Sequence, residues 1–107
     1  MAAQVVLYPQ SGEVVAGRNV VLVCVARGVP VPSITWVKGS TTLNNDSRVT
    51  IQEGELTEIG VTFVRSILEI CSTSESDSGQ YLCIADNGIG NNTANFVLSI
   101  VTEGTNK

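Results

Sequence analysis

One stretch, Asp77-Ser78-Gly79-Gln80-Tyr81-Leu82-Cys83, constrains this chain more than any other, because two earlier residues stand in register with it. Cys24 precedes Trp36 by twelve positions, and Tyr81 stands two before Cys83. Strand periodicity surrounds both cysteines. Val20, Leu22, Cys24 and Ala26 alternate onto one face of one segment, and Tyr81, Cys83 and Ala85 onto one face of another. Val, Ile and Thr are abundant, and turn residues recur roughly every eight to twelve positions, which is an all-β pattern. With 107 residues the chain is one domain that can bury a real but modest core.

The charge balance narrows the partners. The net charge is −4 with only six Lys and Arg, which argues against nucleic acid or an anionic membrane. No apolar run is long enough to insert into a membrane as a helix. Met1-Ala2-Ala3-Gln4 has neither the basic nor the apolar region of a signal peptide. Residues 1–4 read as a linker with Met1 added for expression, 5–101 as a single domain, and 102–107 as a C-terminal linker or tail. Such a layout suits one module of a longer chain.

Chemistry is also limited. The chain has no histidine, the commonest general base and metal ligand. It has no Gly-x-Ser-x-Gly elbow and no phosphate-cradling glycine loop. The acidic cluster Glu53, Glu55 and Glu58 reads as a solvated hairpin tip; the sharper alternative, a weak cation or basic-partner contact, lacks the ligand spacing of a calcium loop. No enzyme, no cofactor and no metal is expected, so function must lie in binding surfaces.

Cys24, Trp36 and the Asp77-x-Gly79-x-Tyr81-x-Cys83 run together resemble the immunoglobulin superfamily, intermediate (I-set) type, as in multi-domain adhesion molecules and receptor ectodomains. Gly28-Val29-Pro30-Val31-Pro32, Leu68-Glu69-Ile70 and Cys83-x-Ala85-x-Asn87-x-x-Gly90 carry the same resemblance. It implies an immunoglobulin-like two-sheet Greek-key sandwich with A/A′-B-E-D and C-F-G sheets and at most a short C′ strand. It further implies a Cys24–Cys83 disulfide, with Trp36 packed on the bridge and Tyr81 tying the corner before it. Asp77 would pair with Arg48, and Cys71 would be left as the odd thiol.

Laid on that frame, strand A covers 5–9 and A′ resumes beside the other sheet at 13–15. Strand B covers 19–26, C covers 33–38, and D begins at 48 with Val49 and Ile51 inward. Residues 52–60 form the acidic connection to a long strand E over 61–71. Strand F covers 80–87 and G covers 92–101.

Two outward faces then compete as partner surfaces. Val37, Leu82, Ile84 and Val97 lie on the C-F-G face, which the resemblance ranks first. Val21, Val23, Val25, Phe63, Ile67 and Cys71 lie on the B-E face, where a homodimer could bring two Cys71 thiols together. Asn45 and Asn91 begin N-glycosylation sequons. A bridge between Cys24 and Cys83 would persist in an oxidising compartment, placing the chain outside the cell or on its surface. The expected function is protein recognition, homophilic contact included, beside neighbouring immunoglobulin-like or fibronectin-type domains. The alternative is a spacer in an intracellular chain of the titin kind, where all three thiols would be free.

Overall fold

In the computed structural model, residues 1–102 are described. The strands are β1 (Gln4–Leu7), β2 (Gly12–Val15), β3 (Val20–Arg27), β4 (Ser33–Lys38), β5 (Thr41–Thr42), β6 (Val49–Glu58), β7 (Val61–Ile70), β8 (Gly79–Asp86) and β9 (Asn91–Val101). They form two sheets, one in the order β1-β3-β7-β6 and the other β2-β9-β8-β4-β5. The result is an all-β immunoglobulin-like sandwich. The short β2 pairs in parallel with β9, so the A′ half of the first strand belongs to the five-stranded sheet and not to the A-B-E-D sheet. The C′ strand is present as β5, only two residues long.

The core follows from alternation. Leu22, Cys24 and Ala26 from β3 face Trp36 from β4 and Tyr81, Cys83 and Ala85 from β8, all of them buried. Cys24 and Cys83 are joined across the sheets, with Cα atoms 6.6 Å apart. Trp36 pairs with Cys83 within one sheet, and Ser66 pairs with Cys24 within the other. A second link therefore runs beside the disulfide: the indole Nε1–H of Trp36 donates to Ser66 Oγ at 2.8 Å. Phe96 completes the layer, edge-on to Trp36 at 6.3 Å and stacked on Tyr81 at 5.5 Å.

The corner before β8 is held at Asp77, in a 3₁₀ turn over Glu75–Asp77. Its carboxylate accepts from the Arg48 guanidinium and from the Ser74 N–H, and its backbone carbonyl accepts the Tyr81 hydroxyl at 2.5 Å. Gly79 has φ 149°, the left-handed side of the map where a side chain is disfavoured. Burial and the nearby Asp77 carboxylate push the Tyr81 hydroxyl up to about 12 from 10.0, with the Arg48 charge opposing. The unfolded phenol therefore ionises first. Stability contributed by Tyr81 is complete below pH 10 and falls as pH rises toward 12. Urea unfolding midpoints measured between these pH values should fall more steeply for the parent chain than for Tyr81→Phe. Equal slopes would show that Tyr81 is no more protected folded than unfolded.

Two expectations are corrected. Residues 52–60 are not a loop: β6 runs on to Glu58, paired with β7 along its whole length from Val49↔Ile70 to Glu58↔Val61. The turn is only Ile59-Gly60, with φ 50° and 76°, the type I′ geometry that closes a two-residue hairpin. Spacing of acidic residues disguised this strand, since Glu is depleted from strands and Gly54 reads as a turn. Secondly, Ala3 is 6 % exposed, packed with Ala26, Val64 and Ala85, and Gln4 pairs with Arg27. The folded body thus begins before Val5. The expected tail at 103–107 lies outside the described residues.

Ile59 is an expensive choice at the turn. It is 101 % exposed, so it gains nothing from burial, and a β-branched residue at positive φ is strained. Ile59→Asn, which creates the Asn-Gly sequence preferred in this turn, should stabilise the chain by about 1 kcal/mol. A thermal melt would register this as a rise of roughly 4–8 °C. A lower midpoint would mean that Ile59 makes a favourable contact at the turn.

Candidate functional site

Positions on the two outward faces differ in what surrounds them. On the five-stranded sheet, Val37 lies opposite Leu82 on one side and Thr42 on the other. Ile84 lies between Thr35 and Thr93, Leu82 is paired to Asn95, and Val97 faces Gln80. Val37, Leu82 and Ile84 are consequently half-buried under polar neighbours, while Val97 stands 47 % exposed. The apolar positions on this face are interrupted by hydroxyls and amides.

The face of the four-stranded sheet is interrupted by charges, with Glu69 opposite Val21 and Arg27 opposite Phe63, but it exposes more large apolar side chains. Val23 pairs with Ile67, Val25 with Arg65, and Leu56 with Phe63, while Leu7 lies beside Val25 on the outer strand. Val23, Val25, Phe63 and Ile67 are half-buried, but Leu7 is 55 %, Val21 56 % and Leu56 56 % exposed. Between Leu7 and Leu56 lies an open groove of about 350 Å³, lined by Val6, Leu7, Val25, Leu56, Phe63 and Arg65. Gly54 forms its floor on β6: a Cβ there would meet nothing within 4 Å. Leu7 and Leu56 escape sequence reasoning because one ends an irregular edge strand and the other was assigned to a loop. A two-residue period continuing from Thr50 through Gln52 to Leu56 would have placed Leu56 on this face.

Cys71 follows β7 directly and is half-buried. Its N–H donates to the Arg48 carbonyl and its carbonyl accepts from Arg48 Nε. Asn45 and Asn91 are both exposed. Asn45 lies in the connection between β5 and β6, where its Oδ1 accepts the Ile51 N–H at 2.6 Å. Neighbouring Asp46 accepts the N–H groups of Arg48 and Val49, and these two bonds hold its carboxyl below its usual range. Asn91 opens β9 opposite Asp86.

The model of the immunoglobulin domain family matches residues 4–87, which contain every strand but the last. The chain belongs to that family. Among curated relatives, human Brother of CDO is 33 % identical over 99 residues, 91 % of this chain. Human Neogenin is 42 % identical over 74 residues, 69 % of this chain, and mouse Peroxidasin homolog 39 % over 85 residues, 78 % of it. This immunoglobulin domain spans only 8 %, 4 % and 5 % of those three proteins' lengths. Among solved structures, the Ig1-2 module of the Drosophila receptor protein tyrosine phosphatase DLAR matches with a TM-score of 0.77 and 30 % identity, covering 95 % of this chain and 50 % of that one. Titin domain M7 superposes with a TM-score of 0.79 at 23 % identity, covering 95 % and 98 %, a likeness of fold alone.

Proposed function

We propose that this immunoglobulin domain is a non-enzymatic protein-recognition module of I-set type, carried in a larger cell-surface or secreted protein. The observation that supports this most is the apolar groove on the outer face of the four-stranded sheet, flanked by Leu7 and Leu56, each more than half exposed. An isolated sandwich has no need of such a groove, whereas a contact surface does. The Cys24–Cys83 bridge suits an oxidising compartment, and the DLAR domains at 30 % identity come from a protein named as a receptor. Neighbouring immunoglobulin-like or fibronectin-type domains would flank it. On this reading Asn45 and Asn91, both exposed, are glycan acceptors, and the C-F-G residues Val37, Leu82, Ile84 and Val97 form the lesser surface.

Beads coated with the chain and applied to cells test the assignment. Leu7→Lys with Leu56→Lys should abolish cell binding, and Val97→Lys should leave most of it. Binding that survives the double variant would remove the four-stranded face. The second reading is a spacer in an intracellular chain of the titin kind, supported by a match to titin Z1Z2 at 27 % identity with a TM-score of 0.79. Titrating thiols in unfolded native material separates the two: one free thiol, Cys71, supports the recognition module, and three support the spacer. A Cys71→Ser chain that self-associates as the parent does would remove the thiol-bridged homodimer.

A further inference from the structure

We propose that the free edge of β6, from Glu53 to Thr57, captures an extended basic segment of a partner protein as a fifth strand of the four-stranded sheet. This rests on the recognition reading above and adds the mode and chemistry of the partner.

β6 is the outermost strand of its sheet. The two-residue turn makes Glu58↔Val61 the closing hydrogen-bonded pair, so Thr50, Gln52, Gly54, Leu56 and Glu58 bond to β7. The N–H groups of Val49, Ile51, Glu53, Glu55 and Thr57 therefore point away from the sheet. The first two are taken by side chains: Asp46 Oδ1 accepts from Val49 at 2.8 Å, and Asn45 Oδ1 from Ile51 at 2.6 Å. The N–H groups of Glu53, Glu55 and Thr57 have no acceptor among the described residues. One part of this edge is blunted and the other is left as a template for pairing.

Charge selects the occupant. Glu53, Glu55 and Glu58 lie along the open edge; the Glu53 carboxylate also accepts the Ile34 N–H of β4 at 3.3 Å, and no described Lys or Arg is in ion-pair contact with any of the three. An antiparallel pair of two copies would set Glu53 and Glu55 against their counterparts, and like charges directly opposite are destabilising. Lys or Arg on the added strand reverses the sign. Geometry then sets the spacing. Glu53 and Glu55 share the side of Ile51, while Gly54 and Leu56 lie on the outward face beside the groove. An incoming strand would alternate basic residues against the two carboxylates with aliphatic ones over Gly54. Backbone pairing would supply affinity and the alternate side chains selectivity.

The experiment titrates the isotope-labelled chain with the peptide Lys-Val-Lys-Val-Lys-Val-Lys and with its Glu-Val counterpart. The basic peptide should shift the Glu53, Glu55 and Thr57 amides and slow their hydrogen exchange, binding at least about tenfold more tightly than the acidic one. Glu55→Pro removes a donor that β7 does not use, so the fold should survive and binding should weaken at least about tenfold. Should that variant not fold, Glu53→Lys with Glu55→Lys keeps the backbone intact and should invert the peptide preference. Equal binding of both peptides, shifts confined to other strands, or indifference to these variants would overturn the proposal. So would protection of the same amides that grows with chain concentration and no peptide, since the occupant would then be a second copy. Loss of cell binding in the Leu7/Leu56 variant alongside a negative peptide titration would remove the edge mode alone.

Discussion

Replacing Cys24 and Cys83 together with alanine is expected to lower the unfolding free energy by about 4 kcal/mol. The two residues are separated by 59 positions, and removing a bridge that closes a loop of this length restores roughly that much chain entropy to the unfolded state. Domains of this kind are stable by only about 5–15 kcal/mol, so the variant should sit close to its folding threshold. Both sulfurs are fully buried, which adds lost packing to the lost constraint. Urea unfolding of the parent and the double variant at one pH measures the difference. A loss below about 1 kcal/mol would mean that sheet packing alone holds the sandwich and that the bridge is incidental.

Trp36→Ala should cost about 3–5 kcal/mol, the range for deleting a large buried aromatic. Trp36 is 1 % exposed and packs edge-on against Phe96, so its removal opens a cavity in the buried layer. Ser66→Ala is the informative companion. It removes one oxygen, yet it leaves the buried indole N–H without its acceptor, which costs about 1–3 kcal/mol. The two losses should not sum. Once the indole is gone its N–H no longer needs Ser66, and residues in direct contact couple by roughly 0.5–3 kcal/mol. Chemical denaturation of both single variants and the double variant closes the cycle. Strict additivity would show that the Trp36–Ser66 bond contributes nothing of its own.

The surfaces were less legible than the core. Cysteine spacing, the indole and the Asp77-x-Gly79-x-Tyr81 run carry the resemblance to an immunoglobulin sandwich because they stand at fixed spacings in the sequence. Arg48 and Asp77 sit 29 positions apart, and only the resemblance suggested their meeting at the corner below Tyr81. The run 52–60 signals a strand only through its spacing, not through its residue types. Its glutamates and Gly54 have low β propensity, and pairing with β7 overrides that preference. The apolar surface on the four-stranded face was therefore seen without Leu7 and Leu56, two of its most exposed members.

Local chemistry by itself determined which residues go inward, since a two-residue period needs no partner to be read. The cross-brace and the corner were legible only through the resemblance that the spaced residues carry. Tertiary structure alone decided that Ser66 satisfies the indole of Trp36, because a buried hydroxyl in a strand has no periodic signature. It alone decided where β6 ends, because a long hairpin is held by its ladder more than by the propensities of its residues. It alone left the Glu53–Thr57 edge open, because an unpaired N–H is defined by what fails to lie beside it.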